Sequence, residues 1–262
     1  MHPVEALRHL ARAGPLEHGV LVRESAIALG ALAADHAALV LSCRRLLQHQ
    51  PASGPLRWLC ARVLCSDGPR REAWRCVEEI DGDATAGRLA AELPDEAVVV
   101  VLGWPELTAE ALVQRGDARP LVVDALGEGT QLARRLRSRG TEAVEVDEAR
   151  TGPAAASADL VVLEAAAAGP DGFVAVPGSR AAAAVARHAG RAVWLVAGVG
   201  RVLPPGLWSS LAAGLATGEP WAAPDEVVPL DLVDVVVRPS GLLTRDELSL
   251  APADCPDAPE LL

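Results

Sequence analysis

Six short runs in the later part of the chain, apolar at every position except Glu145 and Asp234, constrain the fold more than any other feature. They occupy residues 97–102, 121–123, 143–146, 160–163, 192–196 and 233–237. Each run has the length of a strand, and a strand that is apolar at every position is typical of a sheet buried on both faces. Helix-like stretches fill four of the five intervals, at residues 106–115, 129–139, 179–189 and 207–216. This alternation predicts an α/β fold with a mostly parallel sheet and helices on both faces.

The first part of the chain has a different periodicity. Apolar side chains recur there at three- and four-residue spacing, as in Val4, Leu7, Leu10, Ala11, Leu39, Val40, Leu46 and Leu47. This spacing predicts helices, and Gly-Pro and Pro-rich breakers separate them. We therefore predict an all-helical domain at residues 1–92 and a Rossmann-like α/β domain at residues 93–250. Because three prolines lie among acidic residues after position 251, we expect residues 251–262 to form a loose C-terminal tail.

Charge limits the classes of partner and chemistry. The formal net charge is −11 and every cationic side chain apart from histidine is an arginine, since the sequence contains no lysine. A surface this acidic repels a phosphate backbone, so we expect no nucleic-acid binding. The absence of lysine also excludes Schiff-base and P-loop chemistry that depends on that side chain.

Cysteine spacing and hydropathy indicate which cellular compartment the protein occupies. The five cysteines are Cys43, Cys60, Cys65, Cys76 and Cys255. Their odd number and the lack of a CxxC pair argue against a disulfide scaffold or a zinc site, so we expect no metal and no cofactor. No apolar run approaches the roughly 20 residues of a membrane span, and the N-terminus does not resemble a signal peptide. We expect a cytoplasmic protein that does not enter a membrane.

The residues that follow the predicted strands are the candidate site, because ligands of parallel α/β sheets bind beyond the strands' carboxyl ends. Two predicted helix starts there could bind a phosphate through free backbone N–H groups. They are Gly178-Ser179-Arg180 and Glu128-Gly129-Thr130. The alternative for both is an ordinary helix cap with no ligand. Arg201, which follows the strand at residues 192–196, is a further candidate phosphate contact.

Two carboxylates and one aromatic residue complete the candidates. Glu164 and Asp124 each lie at a predicted strand end, where a carboxylate could transfer a proton, with Asp171 as a possible partner for Glu164. The alternative is that Glu164 is an ordinary loop acid and that Asp171 forms an Asp-Gly turn. Gly103 and Trp104 follow the first strand, and Trp104 could stack on a base or a sugar, or close the edge of the core.

The order of motifs in the α/β half resembles the translation initiation factor 2B alpha/beta/delta subunit family, which also contains methylthioribose-1-phosphate isomerase and ribose-1,5-bisphosphate isomerase. The match is closest at residues 227–242, VVPLDLVDVVVRPSGL, which are similar to that family's final strand. Residues 158–163 with the Asp171-Gly172 turn, residues 98–103 and residues 122–129 resemble earlier strands and strand ends. The resemblance implies the fold of that family over roughly residues 97–248 and a homodimer that associates through the α/β domain.

The same resemblance makes an isomerase mechanism doubtful. The isomerases of the family use a cysteine after the first strand and an aspartate after the Asp-led strand, whereas this chain has Leu102-Gly103-Trp104-Pro105 and Glu164-Ala165-Ala166. The sequence therefore favours a non-catalytic binding or regulatory protein, a pseudoenzyme with a degenerate pocket for a phosphorylated sugar or a nucleotide. Two alternatives stay open: a divergent aldose-ketose isomerase of a phosphorylated sugar that uses Glu164 or Asp124, and a subunit for protein-protein interaction.

Overall fold

Local sequence sets the starts of the helices in the first part of the protein. The structure is a computed structural model that describes residues 18–262, so the predicted helical stretch at residues 4–11 lies outside the described residues. Asp35 and Ser53 cap two helices by accepting hydrogen bonds from the backbone N–H groups of Ala38 (3.0 Å) and Leu56 (3.4 Å). The described helices of this part are α1 (His18–Gly30), α2 (His36–His49), α3 (Gly54–Leu64), α4 (Pro69–Asp81) and α5 (Thr85–Glu92).

The helices pack around α3, which is buried along almost its whole length. Helices α1 and α4 run in opposite directions, since Gly19 lies beside Ile80 and Gly30 beside Arg70. The helical prediction is confirmed for the described part of residues 1–92. No helix within residues 18–262 is long and apolar enough to cross a membrane.

Strands and helices alternate through the rest of the chain. The strands are β1 (Val98–Leu102), β2 (Arg119–Val123), β3 (Val144–Val146), β4 (Leu160–Glu164), β5 (Ala167–Ala168), β6 (Gly172–Ala175), β7 (Ala192–Val196), β8 (Glu226–Pro229), β9 (Val235–Arg238) and β10 (Gly241–Thr244). The helices are α6 (Glu106–Arg115), α7 (Gly129–Ser138), α8 (Thr151–Ser157), α9 (Ser179–His188), α10 (Pro205–Leu215) and α11 (Arg245–Leu250). All six predicted strands and all four predicted helices are present.

The main sheet has seven strands in the order β10-β9-β7-β4-β1-β2-β3. Every neighbouring pair is parallel except β9 and β10. The chain runs outward from β1 to β3 and then returns to β4 on the other side of β1. The topological switch point, where ligands of such sheets bind, therefore lies between β1 and β4.

Several elements of this part, among them β10 and α11, are not predicted by the sequence, and two are explained by their composition. Strands β5, β6 and β8 form a separate antiparallel sheet of three strands, and α8 lies between β3 and β4. The sheet escapes prediction because β5 has only two residues, both alanine. Helix α8 escapes because its TGPAAAS sequence combines a glycine, a proline and only seven residues.

The helical part and the α/β part share one apolar cluster. Side chains of α3 and α10 belong to it together with Ala167 and Val174 of the small sheet. The backbones also meet, since Gly54 N donates to Ala166 O at 2.9 Å. A Cβ on Gly54 would lie 2.7 Å from that oxygen, so this approach requires glycine. The two parts are therefore packed against each other without an intervening linker.

Residues 251–262 are not a loose tail, so that prediction is wrong. Asp254 accepts a hydrogen bond from Arg238 Nη2 at 2.5 Å, and its carbonyl accepts one from Trp58 Nε1 at 3.0 Å. Ala258 and Leu261 are buried in the cluster shared by both parts. Prolines and acidic residues indicate disorder only when they lack partners, and this fold supplies a largely buried arginine for Asp254.

Replacing Asp254 with alanine should destabilise the protein by about 3 kcal/mol, because it leaves the guanidinium of Arg238 buried without a counter-charge. The two side chains are 15% and 12% exposed. Urea denaturation measures the loss. Asp257→Ala is the matched control, since Asp257 is exposed on the same segment, and it should change the free energy of unfolding by less than about 0.5 kcal/mol. Equal losses in the two variants would contradict the prediction.

Candidate functional site

A cleft of about 640 Å³ lies between the helical part and the strand ends at the switch point. Helix α1 and residues 49–53 form one wall, and the segments after β1 and β4 form the other. Its charged and aromatic side chains are His18, His49, Trp104, Glu106, Glu128, Glu164, Arg201 and Asp225. Of the predicted site residues, the cleft thus brings together Trp104, Glu128, Glu164 and Arg201.

Glu164 is enclosed by donors at the floor of the cleft. Its Oε1 accepts from Leu107 N at 3.3 Å and lies 3.1 Å from Arg201 Nη2. Its Oε2 accepts from Thr108 N at 2.9 Å and from Thr108 Oγ1 at 3.0 Å. A carboxylate has about four lone-pair positions; three accept hydrogen bonds here, and the Arg201 guanidinium adjoins the carboxylate as its counter-charge. Glu164 therefore closes the N-terminus of α6, and the geometry does not favour it as a base toward a substrate.

Arg201 is equally enclosed. Its side chain is 4% exposed, and besides the pair with Glu164 its Nη1 donates to Ala165 O. The preceding Gly200 has a φ of +75°, and a Cβ there would lie 2.9 Å from the Trp58 ring. The tight turn therefore fixes Arg201 toward Glu164. The positive charge of Arg201 is paired with Glu164 inside the protein and is not free to bind a phosphate.

The two predicted phosphate sites also contain a carboxylate of the chain. Thr130 N at the start of α7 donates to Asp124 Oδ1 at 3.0 Å, and Arg180 N at the start of α9 donates to Glu226 Oε2 at 3.1 Å. Ser179 is buried, and its hydroxyl donates to Val176 O at 2.7 Å. Both helix starts therefore fit the alternative prediction of an ordinary helix cap without a ligand. A carboxylate of the chain occupies the position at which a phosphate would bind.

Asp124 does not share a cavity with Glu164. It lines an open groove of about 740 Å³ with Glu145, Asp147 and Glu148, beyond the ends of β2 and β3. Asp171, the predicted partner of Glu164, accepts a hydrogen bond from Trp208 Nε1 at 2.5 Å. The structure therefore does not bring two of the predicted carboxylates together as an acid-base pair, and their catalytic roles stay predictions.

Comparison with known proteins gives a fold but no close relative. No family model matches the sequence, and no curated protein matches it. Among solved structures, the translation initiation factor eIF-2B of Pyrococcus horikoshii OT3 is similar with a TM-score of 0.78 and 16% identity, over 92% of this chain and 96% of that one. The chain has the fold of the initiation factor 2B subunits.

Two further structures agree. The tetrameric eIF2B-beta2-delta2 complex from C. thermophilum gives a TM-score of 0.74 at 18% identity, covering 94% of this chain and 92% of that one. The delta subunit from A. fulgidus gives 0.63 at 14% identity, covering 95% and 92%. The fold expected from the sequence resemblance is confirmed, and identities this low show the fold alone.

Within the initiation factor 2B fold, the segment after β1 is shaped by glycine and tryptophan. Gly103 has a φ of +62°, a conformation that favours glycine. The Trp104 ring lines the cleft, and the guanidinium of Arg135 lies 5.4 Å from its centroid. A Cβ on Gly103 would lie 3.6 Å from Glu128 Oε2, so the Glu128 carboxylate adjoins this segment.

Besides Glu164, three carboxylates face the cleft, and their surroundings differ. Burial opposes ionisation of Glu106, but hydrogen bonds from His18 and its charge outweigh burial and lower the pKa of Glu106. Burial raises the pKa of Glu128 and of Asp225. Neither of these two accepts a hydrogen bond or pairs with a cation among residues 18–262.

Sequence reasoning missed His18, Glu106 and Asp225. Glu106 carried a usable signal, because it opens the helix after the first strand and so lies beside the strand ends. His18 and Asp225 carried none, since each reaches the cleft only through tertiary packing. No group of three or more His, Cys, Asp or Glu residues within the described chain has a geometry that could hold a metal ion.

The thiols form no disulfide and lie away from the cleft. Four of the five are buried, and Cys65 is exposed. Burial raises the pKa of Cys76 and of Cys255 to about 12. These two thiols therefore stay protonated at neutral pH, which makes them poor nucleophiles and poor metal ligands.

A double-mutant cycle measures the pair of Glu164 and Arg201. Glu164→Gln and Arg201→Met each leave one buried charge unpaired, and each should lower the free energy of unfolding by about 3 kcal/mol. The double variant contains no unpaired charge, so its loss should be smaller than the sum by more than about 1 kcal/mol. Urea denaturation of the four proteins gives the coupling. Additive losses would contradict the role assigned to this ion pair.

Proposed function

We propose that this protein is a non-catalytic binding or regulatory protein with the initiation factor 2B fold, whose cleft is a degenerate form of a sugar-phosphate or nucleotide pocket. The enclosure of Glu164 carries the proposal. The carboxylate at the switch point already accepts three hydrogen bonds and forms an ion pair with Arg201. A proton-transfer group needs a free lone pair directed at the substrate, and Glu164 has none.

The absence of a free positive charge supports the degenerate character of the pocket. Arg201 is the only arginine or lysine that lines the cleft within the described residues, and it is paired with Glu164. The helix starts next to the cleft are closed by Glu164, Asp124 and Glu226. A phosphate group entering the cleft would therefore meet carboxylates, and no uncompensated arginine among the residues 18–262 that line it would offset the repulsion.

Matched ligand pairs test the pocket. Ribose 5-phosphate is compared with ribose, and AMP with adenosine, by isothermal titration calorimetry. We expect the phosphate to improve affinity by less than about threefold in either pair, because the cleft has no unpaired cation to receive it. A phosphate that improved affinity by more than about tenfold, equivalent to 1.4 kcal/mol, would contradict the degenerate pocket.

Turnover is followed by 31P NMR on methylthioribose 1-phosphate and ribose 1,5-bisphosphate. We expect no isomerisation, and any that Glu164→Gln abolishes would establish the isomerase alternative instead.

The alternative of an interaction subunit has an observation of its own. Strand β10 is an edge strand, and an edge presents unpaired backbone groups to a second chain. Leu242 on this strand is 38% exposed, and Leu250 at the end of the following helix α11 is 86% exposed. One of the similar structures is a tetrameric complex of beta and delta subunits. Together these favour self-association through the α/β part as a homodimer.

Light scattering after size-exclusion chromatography tests this association. We expect a mass of twice 27.2 kDa, falling to that of one chain in Leu250→Asp, because a charge in an apolar contact costs several times RT. Val20→Asp is the matched control, since Val20 is exposed on α1 of the helical part and should leave the dimer intact. A monomeric wild-type protein would overturn the homodimer.

A further inference from the structure

A tryptophan lies almost fully in solvent on a segment of the chain that ends at the cleft. The segment is residues 216–225, the strap, which connects α10 to β8. Trp221 on the strap is 82% exposed, and Pro224 and Asp225 at its end line the cleft. Four residues of fully extended chain span at most about 14 Å, so the Cα atom of Trp221 is never farther than this from that of Asp225. The indole ring therefore stays within reach of the cleft.

Few contacts hold the first part of the strap in its position. Residues 216–222 are all exposed. Within the described chain, the hydrogen bonds of residues 216–223 join only residues that are close in sequence. Examples are Thr217 Oγ1 to Gly214 O at 2.8 Å and Ala222 N to Glu219 O at 2.9 Å. A segment with few buried contacts has low local stability, so the strap can rearrange without disturbing the core.

A second large apolar side chain is exposed on the wall of the cleft itself. Leu126 lines the cleft and is 56% exposed. Its φ is +55°, a left-handed backbone conformation that costs free energy for leucine. Backbone strain of this kind is concentrated at sites that bind a ligand, where the fold maintains it for the sake of function. The strained leucine and the exposed tryptophan thus indicate the same cleft.

These two side chains suit a ligand that contains a flat ring. An indole stacks on any nucleobase, because every base has a π face, and an aliphatic side chain can cover the opposite face of the same ring. A ribose or a phosphate has no π face to offer. Stacking also requires no cation from the protein. The cleft, at about 640 Å³, has the volume of a site for a small molecule such as a nucleoside.

We propose that the cleft binds the base of a nucleoside, which lies against Leu126 and is covered by Trp221 when the strap folds over the cleft. The inference rests on the proposed function, since it names the part of a nucleotide that the same non-catalytic cleft recognises. Closure removes two exposed apolar side chains from water together with the faces of the base, and this burial favours the closed arrangement.

Adenosine and ribose test the ligand class, because they differ only by the base. Isothermal titration calorimetry should show that adenosine binds at least about fivefold more tightly than ribose, since the stacking of a base on an aromatic side chain contributes at least this much. Both probes are uncharged, so the net charge of −11 on the chain affects neither. Equal affinities, or no binding of adenosine, would overturn the proposal.

Two tryptophan variants separate the strap from the rest of the surface. Trp221→Ala should weaken the binding of adenosine by at least about fivefold, because it removes the ring that covers the base. Trp74→Ala is the matched control, since Trp74 is 50% exposed on α4 and does not line the cleft. It should change the affinity by less than about twofold. Equal effects in the two variants would overturn the proposal.

Quenching of tryptophan fluorescence by acrylamide reports whether the strap moves. With excitation at 295 nm, adenosine should reduce the quenching of the wild-type protein, because the exposed ring of Trp221 becomes covered. Trp221→Phe keeps an aromatic ring on the strap without its indole fluorescence, so this reduction should be absent from that variant. A reduction of the same size in both proteins would overturn the closure of the strap.

A polar replacement of Leu126 separates binding from folding. Leu126→Asn should weaken the binding of adenosine by at least about threefold, because it removes the apolar surface under the base. Its Tm should stay within about 2 °C of the wild-type value, since asparagine adopts the left-handed conformation more readily than leucine. A clearly lower Tm would make Leu126 structural and overturn its assignment as a ligand contact. The proposed function fails separately, on isomerase turnover or on a phosphate-dependent gain in affinity, and neither outcome depends on Trp221 or Leu126.

Discussion

The ion pair between Glu164 and Arg201 connects the parts of the protein that meet at the switch point. It joins the end of β4 to the turn that follows β7, and through Leu107 and Thr108 it joins both to the N-terminus of α6. Both side chains are almost fully buried, so each charge depends on the other. A buried pair of this kind contributes little net stability, but it fixes the arrangement of every segment that touches it. The floor of the cleft is therefore rigid before any ligand arrives.

The same electrostatic arrangement recurs at two more helix starts. Asp124 closes α7 and Glu226 closes α9, as Glu164 closes α6. A helix N-terminus favours an anion because its first N–H groups have no partner in the helix, and the peptide dipoles add to the attraction. In this protein the anion comes from the chain in all three cases. The two helix starts that the sequence predicts as phosphate sites therefore already contain a carboxylate of the chain. One fold can host different chemistry, and here the fold is present while both of these anion positions are occupied from within the protein.

The sequence predicts the secondary-structure elements well, but it predicts poorly which groups the polar side chains bind. The six apolar runs became strands because burial on both faces demands apolar residues at every position, and that demand is visible in the sequence alone. The sequence correctly predicts a helix start at Ser179. The carboxylate that accepts a hydrogen bond from this helix start belongs to Glu226, which lies on a strand distant in the sequence. Asp254 carries the same lesson, since its partners Arg238 and Trp58 lie in different parts of the chain. A carboxylate in a sequence shows its charge, whereas its role depends on which donor the tertiary fold brings to it.

The carboxylates of the cleft show how that dependence bears on function. Glu106 accepts a hydrogen bond from His18 and its pKa is lowered, whereas Glu128 and Asp225 receive no donor from residues 18–262 and their pKa values are raised by burial. All three line one cavity, and what distinguishes Glu106 among the described residues is the donor that it receives from His18. Neutral side chains of the same shape at positions 128 and 225 would remove the cost without changing the fold. The protonation equilibrium of a carboxyl group in this cleft is therefore set by the donors that the tertiary fold brings to it, and not by its residue type.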